Sequence, residues 1–148
     1  MNEKDQKSAQ EKALMYQFMN AQMEEFARQG TILEQSMIEL ETADHALKEI
    51  NSAHESSEIL MPLGAGNYGY GTLSKKDKFM VEIGSELVKE MSLKEAQKIL
   101  AEKKEDVEDA AKKLKMQIDR LKLSMDKIGM ELQEYADKEK SEGTVHVD

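Results

Sequence analysis

Apolar residues recur at alternating steps of four and three along both halves of this chain. In the N-terminal half Met19, Phe26, Leu33, Leu40 and Leu47 fall seven apart, and Tyr16, Met23, Gly30 and Met37 fill the positions between. In the C-terminal half Val107, Ala111, Leu114, Ile118, Leu121, Met125, Ile128, Leu132 and Tyr135 keep the same alternation, and Leu93 and Leu100 extend the row backwards. Such spacing puts one narrow apolar stripe on each helix, the seam of a coiled coil. A helix with a single dry stripe is unstable alone in water, so each needs a partner. The nearest is the other helix, folded back antiparallel. The spacing predicts helices over about 9–53 and about 93–140. Ser92-Leu93-Lys94-Glu95 reads as a capping box that starts the second one. The end of the chain, 141–148, has no period and reads as a frayed tail.

Composition agrees with long, solvent-washed helices. Charged residues make up 34% of the 148, aromatics only 5%, and there is a single Pro. Disorder would leave no hydrophobic period, which is present here. The net charge of -9, with Arg28 and Arg120 the sole arginines, argues against a nucleic-acid partner. The absence of Cys excludes disulfides and thiolate metal sites, and suits a reducing cytoplasm. The polar start MNEKDQKSAQ does not read as a signal peptide, and no apolar run reaches the ~18 residues of a membrane span. His45, His54 and His146 do not gather with carboxylates at metal spacing, and no catalytic set is in view. We therefore expect no enzyme, no metal and no cofactor.

Between the helices lie four short segments, SEILMPLG, NYGYGTL, DKFMVEIG and ELVKEM, rich in β-branched, aromatic and apolar residues. Glycines and the polar SKKD separate them, which reads as two β-hairpins over 57–91. Pro62 fits an edge or a bulge rather than a central ladder position. Residues Gly64 to Gly69 spell GAGNYG, a literal G-x-G-x-x-G. That fingerprint needs a helix after it to hold a pyrophosphate. Here YGYGTL follows, and each interior Gly would cost a helix about 1 kcal/mol. Gly64 and Gly66 are instead assigned to a turn between paired strands, where positive φ is needed.

A helix, two hairpins around Pro62-Leu63-Gly64-Ala65-Gly66, and a second helix resemble the α class of prefoldin subunits. Ile59-Leu60-Met61 before that turn, Tyr68 and Gly71 after it, and Met80-Val81-Glu82-Ile83-Gly84 in the second hairpin carry the resemblance. One departure is Gly84-Ser85-Glu86, where the family commonly has Gly-x-Gly; Glu86 is a poor residue for positive φ, so a rearranged second turn is expected. The resemblance implies an α+β fold across a single domain, 1–148: a long antiparallel two-helix coiled coil joined by two hairpins that form an oligomeric β-barrel base. It implies an ATP-independent co-chaperone in a hexamer of two α-class and four β-class subunits. Such a protein would hold unfolded clients at its coiled-coil tips and pass them to a group II chaperonin, with no part for nucleic acid or membrane. A structural coiled-coil protein assembling through its β centre into homo-oligomers or filaments is the alternative.

Open strand edges call for partners, and Ile59, Leu63, Tyr68, Tyr70, Leu73, Val81, Ile83 and Val88 are the candidate interface residues. Antiparallel folding is expected to pair residues whose numbers add to roughly 147. Leu14, Met15, Phe18 and Met19 then lie opposite Met130, Leu132 and Tyr135. A two-helix seam buries only two rows, so Leu14, Met15, Phe18 and Met130 exceed it and are expected at an exposed, client-binding rim. Ala43 in place of Asp44 would make a stammer at Leu40, and the step from Val107 to Ala111 a stutter, with Leu40 and Val107 facing each other.

Overall fold

The computed structural model describes residues 3–143. Helix α1 is Glu3–Ser52, strands β1 to β4 are Glu58–Gly64, Asn67–Thr72, Phe79–Gly84 and Leu87–Met91, and helix α2 is Leu93–Gly143. The chain divides into two compact units. One consists of α1 up to Glu34 with α2 from Asp109 on; the other is Gln35–Glu108 and holds all four strands.

Helix α1 begins well before Ala9, because Glu3 and Asp5 place negative charge in the first turn, where the helix dipole favours it. Ser92 and Glu95 form the expected capping box: the Glu95 N–H donates to Ser92 Oγ and the Ser92 N–H to Glu95 Oε2, both at 3.3 Å. Helix α2 runs through Ser141 to Gly143, past the end expected from periodicity, and residues 144–148 of the expected tail lie outside the described residues.

In the two-helix unit the buried residues are Leu114, Leu121 and Ile128, one row of α2 at steps of seven. Helix α1 contributes Tyr16, Met19, Met23, Phe26, Gly30 and Leu33, all half-buried. Four contacts fix the register. Ser8 Oγ lies 3.1 Å from the Tyr135 hydroxyl, and Lys12 pairs with Glu131. A side chain added at Gly30 would meet Leu114, and one at Gly129 would meet Tyr16. Facing numbers at these contacts thus add to between 143 and 145, two to four below the rough 147 expected.

The second unit has its own small core of Leu73, Phe79, Met91 and Ala96. Its seam does not shift as expected. Asp44 stays half-buried in the row while Ala43 is exposed, so α1 has no stammer at Leu40. The Lys48 ammonium, 2.8 Å away, makes the polar residue tolerable there. Lys48 holds the Asp44 carboxyl below its usual range, burial opposing, with Lys104 and Gln97 assisting. On α2, Lys104 rather than Lys103 and Ala110 rather than Ala111 are half-buried, so the row does not take the stutter at Val107. Asn51, the next polar residue in the α1 row, donates from Nδ2 to the Lys76 carbonyl at 3.1 Å and ties the loop before β3 to the helix end.

The strands make two separate antiparallel hairpins, β1 with β2 and β3 with β4. They are near copies. Pro62 pairs with Tyr68 and Gly64 with Asn67; Glu82 pairs with Val88 and Gly84 with Leu87. Each hairpin therefore has one extra residue before its turn, Leu63 or Ile83, and a two-residue loop. Both loops take positive φ at both positions: 49° and 77° at Ala65 and Gly66, 50° and 61° at Ser85 and Glu86. This matches the strand twist as only the primed turns do. The second turn is therefore not rearranged. Glu86 accepts the left-handed conformation because the paired strands on either side demand it.

Lys12 has its pKa raised, chiefly by the hydrogen bond to Glu131, and Glu131 has its pKa lowered, chiefly by Lys12, with burial opposing both. The Glu131 contribution is present above the unfolded carboxylate value and is lost as pH falls through the depressed one. The Lys12 contribution is present below the unfolded ammonium value and is lost as pH rises through the raised one. Lys12→Met should therefore lower the melting temperature modestly at neutral pH, and the gap to wild type should close in acid below the carboxylate range. For the turns, nothing lies within 4 Å of a side chain built at Gly66, so the cost of Gly66→Val is backbone strain alone, about 1–3 kcal/mol. Glu86→Gly should act in the opposite sense, by about 0.5–1 kcal/mol. Urea unfolding midpoints of the two variants should move in opposite directions.

Candidate binding surfaces

Two surfaces carry apolar side chains that the chain does not bury. The first is the end of the helix pair formed by the start of α1 and the last turns of α2. Leu14 is 69% exposed, Phe18 70% and Met130 71%, and Met15 is exposed beside them. Met19, Leu132 and Tyr135 lie in or beside the seam and are half-buried. The seven residues singled out there thus divide into four on the outside and three that complete the helix packing. Beside Met15 and Met19 a groove of about 510 Å³ opens between the helices, with Ser124 and Ile128 on its far wall. The Lys12–Glu131 pair lies across it and holds the two helices together at this end.

The second surface is the pair of hairpins. Leu63, Tyr68, Tyr70, Ile83 and Val88 are exposed, while Ile59 and Val81 are half-covered. Leu73 departs from the expectation that grouped it with them: it is only 8% exposed, packed into the protomer core beside Phe79 and Met91, and has little left for a partner. Leu60, Met61, Met80 and Leu87 are exposed as well and were missed by the sequence reading. Strand alternation was the available signal, since neighbouring residues point to opposite faces and both faces are uncovered. Met61 and Leu63 lie over Gly71 and Gly69, whose missing side chains leave them room. Each sheet has only two strands, so each strand keeps one edge of unpaired backbone groups.

Gly64 and Gly66 sit at φ 95° and 77° in the first turn, followed by β2 rather than a helix. The G-x-G-x-x-G stretch therefore lacks the helix N-terminus that its nucleotide-binding use requires. Among the described residues no cluster of His, Asp or Glu is gathered to hold a metal, and no helix is long and apolar enough to cross a membrane. His45 is exposed and pairs with Glu49 at 3.1 Å on the same helix, His54 is exposed, and His146 lies outside the described residues.

Comparison with known proteins places this arrangement. A family model described as prefoldin subunit matches residues 19–138. A protein named prefoldin subunit alpha from Thermofilum pendens is 37% identical over 84 residues, 57% of this chain and 65% of that protein, so the match spans just under two thirds of it. One of the same name from Pyrococcus horikoshii is 27% identical over 134 residues, 90% of each chain. A cryo-EM structure of filamentous PFD from Methanocaldococcus jannaschii superposes with a TM-score of 0.71 at 21% identity, covering 78% of this chain and 96% of that one. With the match running through all four strands and most of both helices, the chain belongs to the prefoldin subunit family, as a member of its archaeal alpha type.

Proposed function

We propose that this chain is the alpha-type subunit of a cytoplasmic, ATP-independent co-chaperone. It would assemble through its hairpins with β-class subunits, two alpha to four beta, hold unfolded polypeptide at the free end of the helix pair, and pass it to a group II chaperonin. The observation that carries this reading is the cluster of Leu14, Met15, Phe18 and Met130, exposed where a two-helix seam has no use for them. Unbranched methionine side chains adapt to many partners, as a client range requires. The family membership supports the co-chaperone role, and the open hairpin edges support assembly.

A second reading keeps the assembly and drops the client. Homo-oligomers or filaments built through the hairpins would use the same open edges, and the structural relative from Methanocaldococcus jannaschii is itself described as filamentous. A filament builder needs the edges but not the apolar cluster.

Light scattering of a denatured client enzyme, without nucleotide, separates the two. We expect the assembled protein to suppress aggregation. Replacing Leu14, Phe18 and Met130 together by Ser should weaken retention about tenfold, at roughly 0.5 kcal/mol for each partly covered apolar side chain. Tyr135 is left intact because its hydroxyl meets Ser8 in the packed end. The native mass of the variant should be unchanged. Undiminished suppression by this variant would remove the client-binding role of the cluster.

A further inference from the structure

Three depressions follow one another along a single side of the two-helix unit. The first lies between Met19 and Ile128, the second between Phe26 and Leu121, and the third between Leu33 and Leu114. Neighbouring depressions share a wall residue, Ser124 and then Gln117, so they form one groove. Its α2 wall runs from Glu131 to Ala110, about 30 Å at the helical rise of ~1.5 Å per residue. That is the length of a helix of about three heptads.

The α2 rim is basic. Lys127, Arg120 and Lys113 stand at steps of seven, one on each depression. Residues 112–127 hold six bases against Asp119 and Asp126, in a chain whose net charge is -9. Of the acids near the groove, Glu131 is matched by Lys12 and Glu25 by Arg28, and Glu11 stands on the α1 wall of the first depression, across from the basic α2 rim. Among the described residues, Lys113, Arg120 and Lys127 are exposed and have no carboxylate at ion-pair distance. Next to this rim Met116 and Leu123 are exposed, seven residues apart, on the side of α2 that faces away from the seam.

We propose that the groove seats an acidic amphipathic helix of a partner protein as a third helix of the coiled coil. Apolar side chains of the partner, at steps of three and four, enter the three depressions. Asp or Glu residues at steps of seven meet Lys127, Arg120 and Lys113, and a basic helix of the same shape is repelled. Single-stranded nucleic acid fits the groove less well, because the basic row has no aromatic side chain interleaved for base stacking. The first depression shares Met15 with the client-binding cluster, but the test reads a charge preference that client retention by Leu14, Phe18 and Met130 does not require.

The test uses two fluorescent helical peptides of about three heptads with the same leucine seam. One carries Glu and the other Lys at every seventh position outside the seam. Anisotropy titration of the full chain should give an affinity about tenfold higher for the Glu peptide, with the difference shrinking in high salt. The Lys113→Glu, Arg120→Glu, Lys127→Glu variant should reverse the preference while keeping its helical circular dichroism. Should that variant fail to fold, Arg120→Glu alone should reduce the preference about threefold. Equal affinity for both peptides, or a preference untouched by the substitutions, would overturn the proposal. Tighter binding of a single-stranded oligonucleotide or an anionic vesicle than of the Glu peptide would overturn it too.

Discussion

Closure of the two apolar stripes against each other is the interaction on which everything else in this chain depends. In the two-helix unit it is asymmetric. Helix α2 supplies the buried residues Leu114, Leu121 and Ile128, while no residue of α1 is buried. Each fully covered side chain of this kind is worth about 1.5–3 kcal/mol, so a few layers hold helices that would be marginal alone. A seam between two helices has only two flanks, and it cannot cover more than two rows. Apolar residues beyond those rows therefore remain on the surface as a direct consequence of the architecture. Leu14, Phe18, Met116, Leu123 and Met130 are of this kind.

The strands face the complementary constraint. A two-stranded sheet is marginal in water and leaves one edge of each strand open. Here two such sheets occur in one unit, with the same bulge and the same left-handed loop, twenty residues apart. Only a short core of Leu73, Phe79 and Met91 with Ala96 supports them from within the chain. Leu63, Tyr70, Ile83 and Val88 are left exposed by the chain itself. The helix pair thus closes its seam internally, while the hairpins keep open edges, as the proposed assembly would require.

Periodicity made the helices legible, because an alternation of four and three repeated over many turns has few other meanings. It could not give the register. Sliding one heptad helix along another changes the facing pairs without changing either pattern, and the contacts that fix it run through polar atoms: Lys12 to Glu131 outside the apolar rows, and Ser8 to the hydroxyl of Tyr135 at the end of one. The same bias toward apolar residues favoured Ala43 over Asp44, whose place in the seam rests on Lys48. At Glu86, residue preference pointed to a distorted turn, but strand pairing overrode it and imposed positive φ. The exposed cluster around Phe18 was legible by counting residues beyond the two rows. The basic groove was not, since Lys113, Arg120 and Lys127 look like any solvated face until the three depressions are seen to join.

We propose a division of labour, with the helix seam satisfied within the chain and the open hairpin edges left for partners. Hydrogen–deuterium exchange of the chain alone, and then mixed with an archaeal β-class prefoldin subunit, tests it most directly. In the chain alone, amides of α1 and α2 around Phe26 and Leu121 should be protected and those of β1 to β4 should exchange fast. On mixing, protection should rise in Glu58–Gly64, Asn67–Thr72, Phe79–Gly84 and Leu87–Met91 and stay unchanged around Phe26 and Leu121. Unprotected helices in the chain alone, or protection that rises in the helices while the strands remain fast, would rule out this division between seam and hairpins.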